Sequence, residues 1–65
     1  MNNYLHREMI IYLFNEVGLE ESSIELGVKL SKKNYTPLPI LLWSYGILTL
    51  EELDKLYSYL FQKME

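Results

Sequence analysis

The chain has 65 residues, of which six are basic and nine are acidic, and its net charge is −3. A chain of this length forms at most one domain, with a core of marginal size. Because it has no cysteine and a single histidine, it offers neither a disulfide nor the usual ligand cluster of a transition metal. The acidic balance gives no field that would attract a phosphate backbone, so we expect no nucleic-acid partner.

Hydrophobic side chains make up 49% of the chain, which is more than a monomer of this size hides. We therefore expect self-association, as a homodimer. The longest wholly apolar runs, residues 9–14 and 40–43, are far below the roughly 20 residues that cross a bilayer. Since the N-terminal segment also lacks the basic and apolar regions of a secretory signal, we expect a cytoplasmic protein with no membrane span.

The first predicted helix covers residues 3–17 and ends at Gly18, a residue that readily adopts the left-handed conformation. At about 100° per residue, one broad apolar stripe predicts its core face. The stripe consists of Met9, Ile10, Leu13, Phe14 and Val17. Ile11 projects from the other side, where an isoleucine does not serve solubility, so we interpret it as a candidate contact residue.

Residues 21–33 are ambiguous, because apolar and polar residues alternate there with the period of two that is typical of a half-buried strand. We predict a helix, since acidic residues precede the segment and lysines close it, as a helix dipole favours. A strand would also find no convincing second strand to pair with. In the helix, Ile24 and Val28 lie on one side and Leu26 and Leu30 nearly opposite, where a second chain is expected to cover them.

The third predicted helix follows a short loop. Thr36 is a competent N-cap, Pro37 occupies the first helical position, and Pro39 still lies in the first turn, where no amide partner is lost. The helix is expected to run to Tyr45 and to stop at Gly46. Its predicted core face comprises Leu38, Leu41, Leu42 and Tyr45, while Ile40 and Trp43 point away from it.

The fourth predicted helix has the strongest start signal in the chain. Thr49 and Glu52 form a capping box, and Leu48 can pack onto Leu53 as a hydrophobic staple. Its predicted buried stripe is Leu53, Leu56, Tyr57, Leu60 and Met64. The residues expected to face solvent are Glu51, Asp54, Lys55 and Tyr59.

Two corners of the chain resemble each other. The pattern Leu13-Phe14-x-x-Val17-Gly18-Leu19 returns 28 residues later as Leu41-Leu42-x-x-Tyr45-Gly46-Ile47. Two degenerate helix–turn–helix units would account for the repeat, and so would coincidence between two helix–glycine–helix corners. In either case we predict an all-α fold of four short helices, with residues 1–65 as a single domain.

The sequence resembles a known family over nearly its whole length. The residues that carry the resemblance are Leu13-Phe14-Asn15-Glu16-Val17-Gly18-Leu19 and, after a short helix, Leu38-Pro39-x-x-Leu42-Trp43-x-Tyr45-Gly46-Ile47-Leu48-Thr49-x-Glu51-x-Leu53. They are similar to short cyanobacterial proteins catalogued as domain of unknown function 2949. The resemblance implies a small soluble cyanobacterial protein and no chemistry.

A looser resemblance is to the N-terminal helical domains of type II secretion and type IV pilus ATPases, some of which bind cyclic di-GMP. The positions that fit are Leu38, Leu42, Gly46, Ile47, Leu48 and Leu53. Three positions depart from that pattern, because Pro37 replaces a basic residue, Pro39 a glycine and Leu60 a glutamine. The resemblance supports the helical architecture and argues against the ligand.

Single residues that could carry chemistry each have a structural interpretation. His6 has no neighbouring partner in the sequence that would make it a general base. Ser22 and Ser23 suit a helix start better than a nucleophile. The remaining charged clusters are typical of helix ends rather than of a calcium or duplex site: Glu51, Glu52 and Asp54, and Lys29, Lys32 and Lys33. We expect no enzyme, no metal, no cofactor and no small-molecule ligand.

The candidate partner-binding residues are large apolar groups that the helical phases place away from the predicted core. They are Ile11, Leu26, Leu30, Ile40 and Trp43. Trp43 has two interpretations, since an indole is enriched at interface hot spots but four short helices leave few truly outward faces. We expect a non-enzymatic protein–protein interaction or regulatory module, and the alternative is a cyclic-dinucleotide sensor.

Overall fold

The computed structural model describes residues 3–64, which form four helices and contain no strand. Helix α1 covers Asn3–Tyr12 and continues as a π-helical turn over Leu13–Val17. Helices α2, α3 and α4 cover Glu21–Asn34, Leu38–Ser44 and Leu50–Lys63. The prediction of an all-α fold is therefore confirmed, and the ambiguous second segment is a helix.

The helices are arranged as a ring around one apolar cluster. Helix α1 packs on α4, α4 on α3, α3 on α2, and α2 on the π-helical turn. The contact between α1 itself and α2 is weaker than any of these. The buried members of the cluster are Leu13, Ile24, Leu38, Leu42, Leu48, Leu53, Leu56 and Leu60.

Both glycine corners use the left-handed conformation, with φ of 82° and 78° at Gly18 and Gly46. In the first corner Leu19 N donates to Leu13 O at 3.0 Å, and in the second Leu48 N donates to Leu42 O at 3.2 Å. These bonds satisfy carbonyls that a helix end leaves without partners. The sequence repeat aligns Leu13 with Leu41 rather than with Leu42, so the two corners are alike in type but offset by one residue.

The predicted start of α4 is confirmed. Glu52 N donates to Thr49 Oγ1 at 3.1 Å and Thr49 N donates to Glu52 Oε1 at 2.9 Å, which completes the capping box. The predicted start of α3 is wrong by one residue, since Pro37 is the N-cap and the Thr36 hydroxyl donates to Asn34 O instead. Its predicted end at Tyr45 is also one residue late, because Tyr45 is the C-cap.

Phe14 was predicted to belong to the core of the first helix, and this is wrong, because its side chain is 55% exposed. The prediction used the α-helical angle of 100° per residue. The π-helical turn bonds residue i to i+5 and so advances by a smaller angle per residue. The side chains of this turn therefore lie at positions that an α-helical wheel does not give.

Four further burial predictions are wrong, all of them at tyrosine or methionine. Tyr45, Tyr57 and Met64 were assigned to the core and are exposed. Tyr45 lies beyond the last turn of α3, and Met64 beyond that of α4, where the chain leaves the core. Tyr59 was assigned to solvent and instead packs against the core cluster, where its ring meets that of Tyr12.

Gly27 lies at a contact between α2 and α3. Composition and helical phase alone do not predict this contact. Gly27 is buried on α2, and a Cβ atom at this position would lie 2.8 Å from Leu42 Cδ2 and 3.1 Å from Leu38 Cδ1. The absence of a side chain therefore lets α2 approach α3 closely. The alternation of apolar and polar residues in this segment arises because Gly27 faces α3 and apolar residues lie on both sides of it around the helix.

Candidate functional site

A groove with a volume of about 750 Å³ lies between α1 and α2. It opens there because α2 packs against the π-helical turn and only weakly against α1. We call it the α1–α2 groove, and it is lined by His6, Ile10, Ile11, Phe14, Asn15, Glu21, Ile24, Glu25, Val28 and Lys29. Its volume lies within the range of small-molecule pockets, but it is a surface groove rather than a closed cavity.

The interior of the α1–α2 groove is apolar. Ile10, Ile11 and Phe14 come from the first helix and its π-helical turn, and Ile24 and Val28 come from α2. Two neighbouring helices normally bury such side chains against each other. Here Ile11 and Phe14 remain exposed instead, which makes the groove a place where a further apolar group would be favourable.

The polar rim of the groove has different charges at its two ends. Glu21 and Glu25 stand on the N-terminal half of α2, and Lys29 stands on its C-terminal half. Lys32 continues the same side of the helix into a second groove. All four side chains are exposed, so their charges remain available to a partner.

The second groove, of about 320 Å³, meets the first. Both are lined by His6 and Val28. The remaining lining comes from all four helices and the loop before α3: Met9, Ser31, Lys32, Thr36, Pro37, Leu38, Pro39 and Tyr57. His6, the single histidine of the chain, is exposed at the point where the two grooves join.

The structure does not bring the five predicted partner-binding residues onto one surface. Ile11 lines the α1–α2 groove, whereas the others line neither groove. Leu26 is exposed on α2 and Leu30 is half-buried. Ile40 is half-buried and packs against the core cluster, while Trp43 is 43% exposed.

Phe14, Ile24 and Val28 line the groove but were assigned to the core of a single chain. The signal that could have identified Phe14 is its position four residues before Gly18, at a helix end where the geometry departs from the α-helix. A π-helical turn within a longer helix is frequently found at functional sites. Asn15, which follows Phe14 in the same turn, also lines the groove.

A polar cluster joins α1 to α4 outside the grooves. The Tyr59 hydroxyl donates to Glu8 Oε1 at 2.9 Å, and Lys63 Nζ lies 3.8 Å from the same oxygen. The Tyr59 ring also packs against the Tyr12 ring, with 4.8 Å between the two centroids. Lys63 Nζ lies 5.4 Å from the centroid of the Tyr59 ring. These contacts fix one flank of α1 against α4 and leave its other flank to the groove.

The same contacts shift two pKa values. The hydrogen bond to Glu8 raises the pKa of Tyr59, with burial and the charge of Glu8 adding to the effect. The pKa of Lys63 is raised chiefly by the charge of an ionised Tyr59, then by Tyr4 and Glu8. Burial alone raises the pKa of Tyr57.

Two of the other candidate chemical groups, Glu51 and Glu52, have structural roles. Glu52 completes the capping box, and Glu51 pairs with Lys55 at 3.7 Å. Within residues 3–64, no group of three His, Asp or Glu side chains is placed to hold a metal ion. No helix in this part of the chain has the length and apolar character needed to cross a membrane.

The positions that fit the secretion-ATPase pattern are largely core positions. Leu38, Leu42, Leu48 and Leu53 are all buried in the central cluster. Of these, Leu38 alone lines a groove, the smaller of the two. A shared pattern at such positions reflects how the helices pack.

Comparison with known protein families gives a match over most of the chain. The model of a family described as "Protein of unknown function (DUF2949)" matches residues 6–60. The matched range includes most of α1 and α4 and the whole of α2 and α3. No curated protein and no solved structure shows significant similarity to the chain.

Proposed function

We propose that this chain, which belongs to the DUF2949 family of proteins of unknown function, acts as a small non-enzymatic protein–protein interaction module. The observation that carries the proposal is the amount of large apolar surface. Eleven large hydrophobic side chains among the described residues are more than two-fifths exposed. Isolated exposed leucines are ordinary, but an aromatic-rich set of this size in 65 residues is typical of contact surfaces.

Three of the exposed groups mark two separate contact regions. One is the α1–α2 groove, which contains Ile11 and Phe14. The other is the outer side of α3, where Trp43 is exposed. Tryptophan and tyrosine are favoured at contacts because a large rigid ring buries much apolar area at little cost in conformational entropy.

The test is affinity capture from native cytosol with the tagged chain and two variants. Trp43→Ala removes an exposed indole from α3, and Phe61→Ala removes an exposed aromatic ring from α4 as the matched control. We expect the wild type and Phe61→Ala to retain one stoichiometric partner, either another protein or an untagged copy of the chain. Trp43→Ala should retain at least tenfold less of a heterologous partner.

Two results would contradict the proposal. The first is a chain that captures nothing and remains monomeric at every concentration. The second is micromolar binding of cyclic di-GMP to the purified protein, which would establish the sensor function that the weaker resemblance implies. Equilibrium dialysis with the labelled dinucleotide measures this directly.

A further inference from the structure

The charges on the outer side of α2 are ordered along the helix. Glu21 and Glu25 precede Lys29 and Lys32, and all four face the grooves. If a second α2 lies antiparallel, with a two-fold axis between Glu25 and Lys29, each Glu25 faces the Lys29 of the other copy. The same axis places Glu21 opposite position 33 of the other copy, where Lys32 and Lys33 supply positive charge. A parallel arrangement would instead place like charges together.

The apolar part of the groove fits the same arrangement. The space between α1 and α2 is lined by Ile11, Phe14, Ile24 and Val28, and the chain's own helices do not fill it. A two-fold axis makes the interface isologous, so every favourable contact occurs twice. The Phe14 ring of each copy can then enter the groove of the other, where about 25 cal/mol is gained for each Å² of apolar surface removed from water.

We infer that the α1–α2 groove is a homodimer interface in which the α2 helices of two copies lie antiparallel. The inference rests on the proposed interaction function and identifies its partner as a second copy of the chain. With 14 residues, α2 spans about 21 Å of a molecule whose longest dimension is 29 Å. The smallest stable interfaces bury about 600 Å² per partner, which is about one-eighth of the 4821 Å² surface of this chain.

The apolar contact is tested by sedimentation equilibrium of purified chains. The wild type should show a species of two chains at micromolar concentration. Phe14→Ala should weaken its association at least tenfold, and Phe61→Ala, which removes a more exposed ring outside both grooves, should leave the association unchanged. Circular dichroism checks that both variants keep their helices, which is expected because neither ring belongs to the core cluster.

The antiparallel register is tested by exchanging charges. Glu25→Lys and Lys29→Glu each place two like-charge pairs in a homodimer, so each variant should associate about tenfold more weakly than the wild type. In an equimolar mixture of the two variants, both contacts of the heterodimer regain opposite charges, and association should return. Each variant chain still carries two like charges on its own α2 in the mixture. If the weaker association came from a less stable helix, mixing would therefore not restore it.

A chain with both substitutions, Glu25→Lys and Lys29→Glu, again places opposite charges across the interface and should associate like the wild type. It is a second test of the antiparallel register. A strictly monomeric wild type overturns the inference and assigns the groove to another protein or a small apolar ligand. The proposed function survives that result if capture succeeds. Self-association that ignores Phe14→Ala and the charge exchange places the interface elsewhere and also overturns the inference.

Discussion

Tyr59 joins the two ends of the fold, because its hydroxyl donates to the Glu8 carboxylate 51 residues earlier. The hydrogen bond raises the pKa of Tyr59 above its ordinary value of 10.0. The unfolded chain therefore loses this proton at a lower pH than the folded chain does. The linked stability is complete below about pH 10 and is lost as the pH rises through the folded pKa.

Tyr59→Phe should accordingly reduce the loss of stability at high pH. Thermal unfolding at pH 8 and about pH 10.5 measures it, and the fall in melting temperature should be smaller in the variant than in the wild type. The raised pKa of Tyr57 acts in the same direction and does not depend on Tyr59, so part of the fall remains. Tyr35→Phe, at a side chain that is 94% exposed, is the control. Equal falls in all three proteins would contradict the role of the Glu8 contact.

Gly27 should resist replacement although it lies inside a helix. Alanine is favoured over glycine in a helix interior by about 1 kcal/mol. At this position, however, the added Cβ meets Leu42 and Leu38, both of them buried and unable to move without disturbing the core. Overpacking of this kind costs about 1–3 kcal/mol, so Gly27→Ala should be less stable by about 1 kcal/mol.

Urea denaturation measures the Gly27→Ala effect. Ser22→Ala, at an exposed position on the same helix, is the control and should be neutral or slightly stabilising. If Gly27→Ala proves more stable than the wild type, the α2–α3 contact is looser than the structure indicates.

Helix α4 begins at its capping box, and the two hydrogen bonds between Thr49 and Glu52 satisfy backbone donors that otherwise have no partner. Thr49→Ala should cost about 1 kcal/mol, a noticeable share of the stability of a small domain. Thr36→Ala is a matched control, because the Thr36 hydroxyl does not cap α3. The denaturation midpoint should fall for Thr49→Ala and change less for Thr36→Ala. Equal midpoints would mean that the cap does not limit stability.

The helices differ in how far local sequence determines them. The start of α4 follows from Thr49 and Glu52 alone, and the end of the first helix follows from Gly18, so both were predicted correctly. The exposure of Phe14 depends on a π-helical turn, and the burial of Tyr59 depends on Glu8 and Tyr12. Glu8 and Tyr12 are distant from Tyr59 in sequence, and the hydrophobic periodicity of α4 does not predict contacts with them.

The candidate site shows the same division. Ile11 was predicted as a contact residue because its position opposes the apolar stripe, and it does line the α1–α2 groove. Ile40 was predicted by the same argument, yet it packs against the core cluster. The difference arises because α3 has only seven residues and two packed neighbours, so more of its circumference is covered. The groove itself depends on the spacing of α1 and α2, which no single helix specifies.

In the ring of helices, α1 itself packs less closely on α2 than the other neighbouring elements pack on each other, and the α1–α2 groove opens there. Packing of α1 on α4, and of α3 on both α4 and α2, holds the core together. Helix α2 is held to α3 at Gly27 and to the π-helical turn, and its contact with α1 itself is weaker. Two of the exposed large hydrophobic side chains, Ile11 and Phe14, lie at this opening, and Trp43 is exposed on the outer side of α3.

Trp43 and Leu42 are neighbours on α3 with opposite environments. Substituting each of them tests whether core packing and partner binding depend on different residues of this helix. Leu42 is fully buried, whereas Trp43 is 43% exposed. Leu42→Ala should cost about 2–5 kcal/mol and unfold much of the population. Trp43→Ala should keep its helicity and weaken capture of a heterologous partner by about 2 kcal/mol, or roughly 30-fold, as expected for a hot-spot residue.

The two proposed surfaces make the Trp43→Ala result specific. Trp43 lines neither groove, so its loss should leave the dimer of the α1–α2 groove intact in sedimentation while the capture of another protein fails. Circular dichroism on the same samples separates folding from binding. Lost helicity would place the indole in the core of the chain. A folded variant that still captures its partner would remove Trp43 from the contact surface, because an exposed indole that contributes to neither folding nor binding has no part in the interaction.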